Sequence, residues 1–449
     1  MYGCQQVLIS QNKNLINILI FLCEESHKLT NMGIYYARQL YFKAKKIIGK
    51  FDLIEQYKTS YHYKVLHSQA AQQILLSVGE SFKSYKGLVK KYFKGEITDK
   101  PKIPNAERIS AQVASSDACK LCLLRKKGGL ATVSYPKQAL KLKDNQIRVP
   151  LGKTCKRWFG LNSFYIPMPG NLKFSDIKEL RILPRNKCFY FEFVYKKEIK
   201  KAELNLNNVL GIDPGLNNWL TCVSNVSTSF IIDGLHVKSM NRWYNKQLSV
   251  LKDNKPQGFW NNKLAAITEK RNRQMRDGIN KACRIVINHC LKNNIGTIVF
   301  GWNKRNKDSI NIGKKNNSEF VPIPTARLKD RIAQMSEQYG IQFIETEESY
   351  TSKASFLDGD YLPTIGEKPK DWKPSGRRTK RGLYRTANNC YINADCNGAA
   401  NIIRKVATNL SVLCNVSLER VSRGILTCPQ RISLWSANGN VFRIGFSQF

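Results

Sequence analysis

Two carboxylates stand where the chain itself prepares a place for them. Val209-Leu210-Gly211-Ile212-Asp213 is an apolar strand that ends on an acid, and Pro214-Gly215 turns the chain directly after it. Asp213 is therefore expected at the lip of a sheet, where a carboxylate is poor packing material and a good metal ligand. Asn393-Ala394-Asp395-Cys396-Asn397-Gly398 opens a helix in which Asp395 shares a face with Ala399, Ile402, Ile403 and Val406. That face must pack on the sheet, so the carboxylate points toward it. In a chain of net charge +40 such an acid needs a cation. Alone, Asp395 reads as a helix N-terminal acid answering the dipole. Together with Asp213 it makes a site for Mg²⁺, which takes hard oxygens and keeps several waters. Two such ions can activate water and stabilise the leaving oxygen of a phosphodiester.

The elements that must position these acids follow in order. Residues 220–223 and 230–233 are short strands, joined by turns that suit antiparallel hairpins. Residues 236–292 read as long, basic and helical, closed by Gly296. A fourth strand covers 297–300, a crossover helix 321–339 with Gly340 as its stop, and a fifth strand 341–346. Three antiparallel strands, helix, strand, helix, strand and helix is the order of the RNase H-like fold, an α/β architecture whose mixed sheet holds acids at strand ends. Upstream, residues 1–130 read as mostly helical, with Ile74, Val78 and Phe82 as an i, i+4, i+8 stripe. Residues 131–207 turn to strands, among them the aromatic run Phe189-Tyr-Phe-Glu-Phe-Val-Tyr195. Residues 426–449 read as irregular, the end of a tail over 411–449.

A chain of 449 residues implies two or three domains. Its 73 Lys and Arg against 33 Asp and Glu recur from Lys13 to Arg443, and a globular protein so charged repels itself unless its partner is a polyanion. No small ligand needs so many cations, which points to nucleic acid. Candidate contacts are Gln69, Gln72, Gln73 and Lys83 on one helix, and Arg271, Arg273 and Arg276 on another. Arg377, Arg378, Lys380 and Arg381 stand in a stretch over 368–385 that reads as a basic loop above the acids. For any single member a solvated face is the plainer reading. The thirteen cysteines are scattered. Cys119-Lys-Leu-Cys122 is a lone close pair where zinc needs four ligands, so reduced thiols are expected. The apolar run over 15–23 is too short to span a membrane and lacks a cleavage signal, so a soluble intracellular protein is expected.

Gly211-Ile-Asp-Pro-Gly-Leu-Asn217, Ser349-Tyr-Thr-Ser-Lys353 and Asn393-Ala-Asp-Cys-Asn-Gly-Ala-Ala-Asn-Ile-Ile403 together resemble the RuvC motifs of TnpB proteins. These are transposon-encoded RNA-guided endonucleases related to type V CRISPR effectors. His67-Ser-Gln-Ala-Ala-Gln-Gln73 and Tyr135-Pro-Lys-Gln-Ala-Leu-Lys-Leu-Lys143 resemble the family's recognition and wedge regions more loosely. The resemblance implies a helical recognition region with parts of the wedge over 1–130, and a β-rich wedge domain over 131–207. It implies a RuvC-like nuclease domain over 208–410, with a helical insertion at 236–295 and the basic loop at 351–392. The implied partners are a guide RNA made from the transposon end and double-stranded target DNA beside a short adjacent motif, in the prokaryotic cytosol or nucleoid. Monomer and homodimer are both compatible with it. Asp213 and Asp395 match the first and third catalytic acids.

Two departures shape the expectations. The family usually carries a glutamate just after its fourth strand, where this chain reads Val299-Phe300-Gly301-Trp302-Asn303. The fifth strand instead ends Ile344-Glu345-Thr346-Glu347-Glu348. Parallel neighbours end about 5 Å apart, a gap that a glutamate side chain covers. Strand alternation puts Glu345 and Glu347 on one face, so Glu347 is the first choice for third ligand and Glu348 the second. A relocated glutamate of this kind resembles one branch of the family. The family also commonly inserts a four-cysteine zinc ribbon before the last helix. Residues 351–392 contain Cys390 alone, so no zinc is expected. A nuclease-inactive, RNA-guided DNA-binding repressor is the alternative that the missing acid keeps open. A strand-transferring transposase is disfavoured, since the five histidines form no H-x-H pair.

Overall fold

The computed structural model describes residues 2–9, 13–49, 51–105, 129–199, 201–303, 323–364, 366–380, 382–409 and 416–435. The Cys119/Cys122 pair and Arg381 lie outside them. The chain forms two compact units, residues 1–197 with 254–269, and residues 198–253 with 270–449. Residues 1–130, expected as a helical recognition region with parts of the wedge, fall in one unit with residues 131–197. Among the described residues no helix is long and apolar enough to cross a membrane.

The first unit contains β1 (Tyr2–Leu8), α1 (Lys13–Ala44), α2 (Asp52–Tyr57), α3 (Tyr61–Val65), α4 (Ser68–Phe93), β2 (Val133–Pro136), β3 (Lys141–Lys143) and β4 (Gln146–Pro150). It continues with α5 (Lys153–Phe159), β5 (Ser163–Pro167), β6 (Ile177–Arg185) and β7 (Cys188–Lys196). The strands make two antiparallel sheets, β1-β7-β6-β2 and β3-β4-β5. The predicted stripe of α4 holds: Ile74, Val78 and Phe82 are buried in the core with Leu19, Leu22 and Leu29 of α1. Lys83 is exposed, and Gln69, Gln72 and Gln73 are half-buried. The helical expectation for the N-terminus fails at β1. Seven residues carry too little periodicity to be read alone, and the aromatic strand β7 supplies their partner, Leu8 pairing with Tyr190 and Tyr2 with Lys196.

The second unit contains β8 (Asn205–Pro214), β9 (Asn218–Ser224), β10 (Ser229–Asp233), α6 (Leu235–Lys252), α7 (Asn262–Lys292, in this unit from Lys270), β11 (Ile295–Gly301) and α8 (Thr325–Tyr339). Then come β12 (Gln342–Thr346), β13 (Arg377–Lys380), β14 (Leu383–Arg385), β15 (Tyr391–Asn393), α9 (Ala394–Asn409), α10 (Arg423–Thr427) and β16 (Gln430–Ile432). The main sheet runs β12-β11-β8-β9-β10-β16, with β8, β9 and β10 antiparallel and β11 and β12 parallel to β8. This is the mixed sheet expected from the order of elements. Alternation along β8 serves both faces. Leu210 and Ile212 join Ile279, Cys283 and Val286 of α7 and Leu328 and Ile332 of α8, whereas Val209 joins Ile402, Ile403 and Val406 of α9.

Three local expectations are corrected. Helix α7 ends at Lys292 and Asn294 takes the left-handed conformation (φ 52°). Gly296 lies inside β11, where a Cβ would meet the Asn205 carbonyl oxygen at 2.6 Å. The basic segment is no bare loop, since β13, β14 and β15 form a small antiparallel sheet. Two acids fasten its approach: Asp360 Oδ2 accepts from the backbone of Ser355 (2.7 Å) and Ser375 (3.0 Å), and Asp358 Oδ2 from the backbone of Ala387 (2.8 Å) and the Ser375 hydroxyl (3.1 Å). Part of the expected tail is also structured. β16 pairs in parallel with β10 as the sheet edge, and Leu434 is buried in the α7 and α8 core with Trp435 packed beside it.

Candidate active site

Three elements end at one edge of the main sheet. Ile212 of β8 pairs with Phe300 of β11, and Gly301 pairs with Thr346 of β12. Asp213, Gly301 and the residues after Thr346 therefore share that edge, and α9 begins above it. A cavity of about 660 Å³ opens there, lined among others by Asp213, Asn218, Thr221, Arg378, Asp395 and Arg431.

Asp213 is buried at the floor of this cavity. Burial, then the neighbouring carboxylates of Glu348 and Asp395, hold its carboxyl well above the usual range, and Arg378 pulls it partly back. Gly398 explains how the carboxylate fits beneath α9. A Cβ there would lie 2.8 Å from Asp213 Oδ2, and within 4 Å it would meet that carboxylate alone. Asp395 is set by its helix start. Asn393 Oδ1 accepts from the backbone N–H groups of Asp395 (3.0 Å) and Cys396 (3.1 Å), the arrangement of an N-cap. Both Asp395 oxygens are engaged: Arg378 Nη2 donates to Oδ1 at 2.7 Å and Asn218 Nδ2 to Oδ2 at 2.6 Å.

The two glutamates separate at the end of β12. Glu348 stands beside Gly301, where a Cβ would meet Ile402 Cδ1 at 2.5 Å and Glu348 Cβ at 3.4 Å. Asn303 grips it twice, accepting from its backbone N–H at 3.1 Å and donating to Oε1 at 3.4 Å. Glu347 forms an ion pair with Lys405 of α9 at 3.4 Å. Glu345 pairs with Lys329 of α8, on the opposite face of the sheet. Glu345 and Glu347 thus do not share a face. Pleat alternation holds only within the strand, β12 stops at Thr346, and the premise that ranked Glu347 first does not reach past it.

A polar seam along α9 holds this turn in place. Asn397 Nδ2 donates to the Ala354 carbonyl (2.8 Å), Asn401 Nδ2 to that of Thr351 (2.9 Å) and Arg404 Nη2 to that of Asp360 (2.7 Å). Lys405 Nζ donates to the carbonyls of Ser349 (3.1 Å) and Pro363 (3.2 Å). Polar residues at i, i+4 and i+8 in an otherwise apolar helix are legible in the sequence, but a search for apolar periodicity overlooks them. Lys405 is 2% exposed. Lys405→Met leaves two carbonyls and a carboxylate without their cation, and we expect it to cost about 2–4 kcal/mol of stability in chemical denaturation.

The predicted nucleic-acid contacts divide. Arg378 is in the site. Arg377 and Lys380 are exposed on β13, Arg273 is exposed on α7, and Arg276 is half-buried. Arg271 turns inward, donating twice to Asn241 Oδ1 of α6 (2.9 and 3.2 Å) with its guanidinium over the Tyr244 ring. Sequence reading missed Asn218, Asn303 and Arg431. Asn303 lies in a quoted stretch and Asn218 directly follows one, but nothing local marks their partners. Among the described residues no three acid, histidine or cysteine side chains already surround one point as metal ligands. The donor types still fit a hard divalent cation: carboxylates alone, under an open cavity, whose mutual repulsion one guanidinium offsets in part.

Residues 192–307 match a family model described as a probable transposase (OrfB_IS605), and residues 326–402 match one described as Cas12f1-like, TNB domain. No curated protein matches. Among solved structures, a Cas12f1–sgRNA–target DNA complex is similar at a TM-score of 0.32 and 14% identity, over 90% of this chain and 98% of that one. A CRISPR–Cas12f ternary complex is similar at 0.32 and 14%, over 88% and 82%, and a Cas12i–crRNA–dsDNA complex at 0.31 and 12%, over 92% and 63%. Likeness at such scores is weak, and the assignment rests on the two family models. The first spans the strand that ends at Asp213 and the second spans Glu348 and Asp395, and the two matches support a TnpB-like protein.

Proposed function

We propose that the protein is an RNA-guided DNA endonuclease encoded by a transposable element, and that Asp213, Glu348 and Asp395 are the Mg²⁺ ligands with which it hydrolyses target DNA. The observation that carries this reading is geometric: the ends of β8, β11 and β12 share one sheet edge under the start of α9, so Glu348 and Asp395 both lie near enough to Asp213 to raise it, and Asp213 and Asp395 line one cavity. Two Mg²⁺ ions bound there would activate water and stabilise the leaving oxygen of the phosphodiester. The chain's own residues prepare the place. Gly398 leaves room for Asp213, Asn303 fixes Glu348, and Asn218 and Arg378 hold Asp395. Arg378 also offsets acidic charge where a polyanionic strand must enter. The proposed partners are a guide RNA from the transposon end and double-stranded DNA carrying a short adjacent motif. Base pairing then reads most of the sequence, and the spread of +40 charge supports a large polyanionic partner.

Two observations favour the alternative of a guided repressor: position 301 has no acid, and both Asp395 oxygens are engaged by side chains. Incubation of the purified protein–RNA complex with a plasmid library and Mg²⁺ separates the two. Guide-dependent cutting is expected, and guide-dependent binding without cutting would establish the repressor. Within the same assay Gly398→Ala should slow cutting by about 10- to 100-fold, because its methyl displaces the Asp213 carboxylate. Its melting temperature should not fall, since alanine favours the helix.

A further inference from the structure

Arg431 gives the cavity a second cationic wall. It lies on β16, paired with Ile231 of β10, in a stretch that no motif marks. Among the residues that line the cavity, Arg378 and Arg431 are the two cations. They approach Asp395 from different sides, Arg378 directly at Oδ1 and Arg431 through Asn218, whose amide oxygen accepts from Arg431 Nη2 at 2.9 Å while its nitrogen donates to Oδ2. The Arg431 side chain is 55% exposed, and its approach to Asp233 Oδ2, at 4.0 Å, is too long for a hydrogen bond. A guanidinium has five N–H donors in a planar fork suited to phosphate, and the bond to Asn218 uses one of them in a side chain that lines the cavity.

We propose that Arg431 binds a backbone phosphate of the cut DNA strand, next to the phosphate being cut, on the β10 side of the cavity. A cavity of about 660 Å³ takes more than one phosphate, and its floor is acidic. A strand crossing it needs cations on both walls to offset repulsion by the acids. Arg378 serves one wall and Arg431 the other. Through Asn218 the same residue also couples strand entry to the orientation of Asp395.

This inference rests on the nuclease reading above, which wild-type cutting tests on its own. Wild type, Arg431→Ala and Arg431→Lys complexes are compared in single-turnover cleavage of targets in which each phosphate flanking the cut is replaced in turn by a neutral methylphosphonate. One flanking replacement should slow the wild type by about 10- to 100-fold, the worth of a charge-assisted contact. Arg431→Ala should be slowed to a similar extent on unmodified DNA and be indifferent to that same replacement, and Arg431→Lys should recover part of both. If Arg431→Ala remains as sensitive as the wild type to every flanking replacement, Arg431 acts on Asn218 or on the fold and the proposal falls. Normal cutting by Arg431→Ala would overturn it as well. Melting temperatures identify a misfolded Ala variant, in which case Arg431→Lys, with a weakened response to the same phosphate, decides. If the wild type binds guided DNA without cutting, the nuclease reading fails separately. The same series, read as dissociation constants, then tests the pairing of Arg431 with one phosphate.

Discussion

Asp213→Asn should abolish cleavage, lowering the single-turnover rate by more than about 10³-fold, because a neutral amide replaces the carboxylate at the centre of the acidic cluster. Guided DNA binding should persist, since the cluster is acidic and contributes nothing favourable to holding a polyanion. Stability is the second signature. The folded protein holds Asp213 well above its ordinary range, so ionising it at neutral pH costs stability, which an isosteric amide removes. The melting temperature at neutral pH should therefore stay level or rise as activity vanishes. The sign also sets the pH trend. The cost is absent while Asp213 is protonated and grows as pH rises toward the raised value, so the gain from Asp213→Asn should shrink in acid.

Glu348→Gln should also lower the cleavage rate by more than about 10³-fold, whereas Glu347→Gln should change it by less than about tenfold. The adjacent glutamates have opposite surroundings. Glu348 raises Asp213 and is gripped by Asn303, and Glu347 faces the buried ammonium of Lys405. Loss of Glu347 should register as reduced stability, because Lys405 then loses the carboxylate with which it is paired among the described residues. Measuring rate and melting temperature for both variants separates a ligand from an anchor.

Much of this site was legible in the sequence. The strand ending at Asp213, the apolar face of α9 and the order of strands in the main sheet all follow from local periodicity and turn residues. The faces of the glutamates after β12 do not. Alternation ranks Glu347 first only if the strand continues, and whether it does depends on Asn303 and Lys405, each more than forty residues distant from the glutamate it holds. β1 and β16 were missed for a related reason. Short strands draw their stability from a distant partner, Tyr190 for one and Ile231 for the other, and carry no periodicity of their own. The basic segment read as a loop because Asp358 and Asp360 fasten it through backbone groups that composition does not reveal. Arg271 shows the opposite error. A cationic run suggests solvent and nucleic acid, yet this member is turned onto Asn241 between two helices.

The central claim is that Glu348, reaching across from the neighbouring strand, completes a metal site whose usual acid is replaced by Gly301. Manganese binding to the protein–RNA–DNA complex, followed by electron paramagnetic resonance, tests it without relying on turnover. The RNA binds ions of its own, so the reading is the difference between variants. The wild type and Glu347→Gln should bind equal amounts of Mn²⁺, and Glu348→Gln should lose about one to two ions. Equal binding by all three, or a loss confined to Glu347→Gln, would contradict the account.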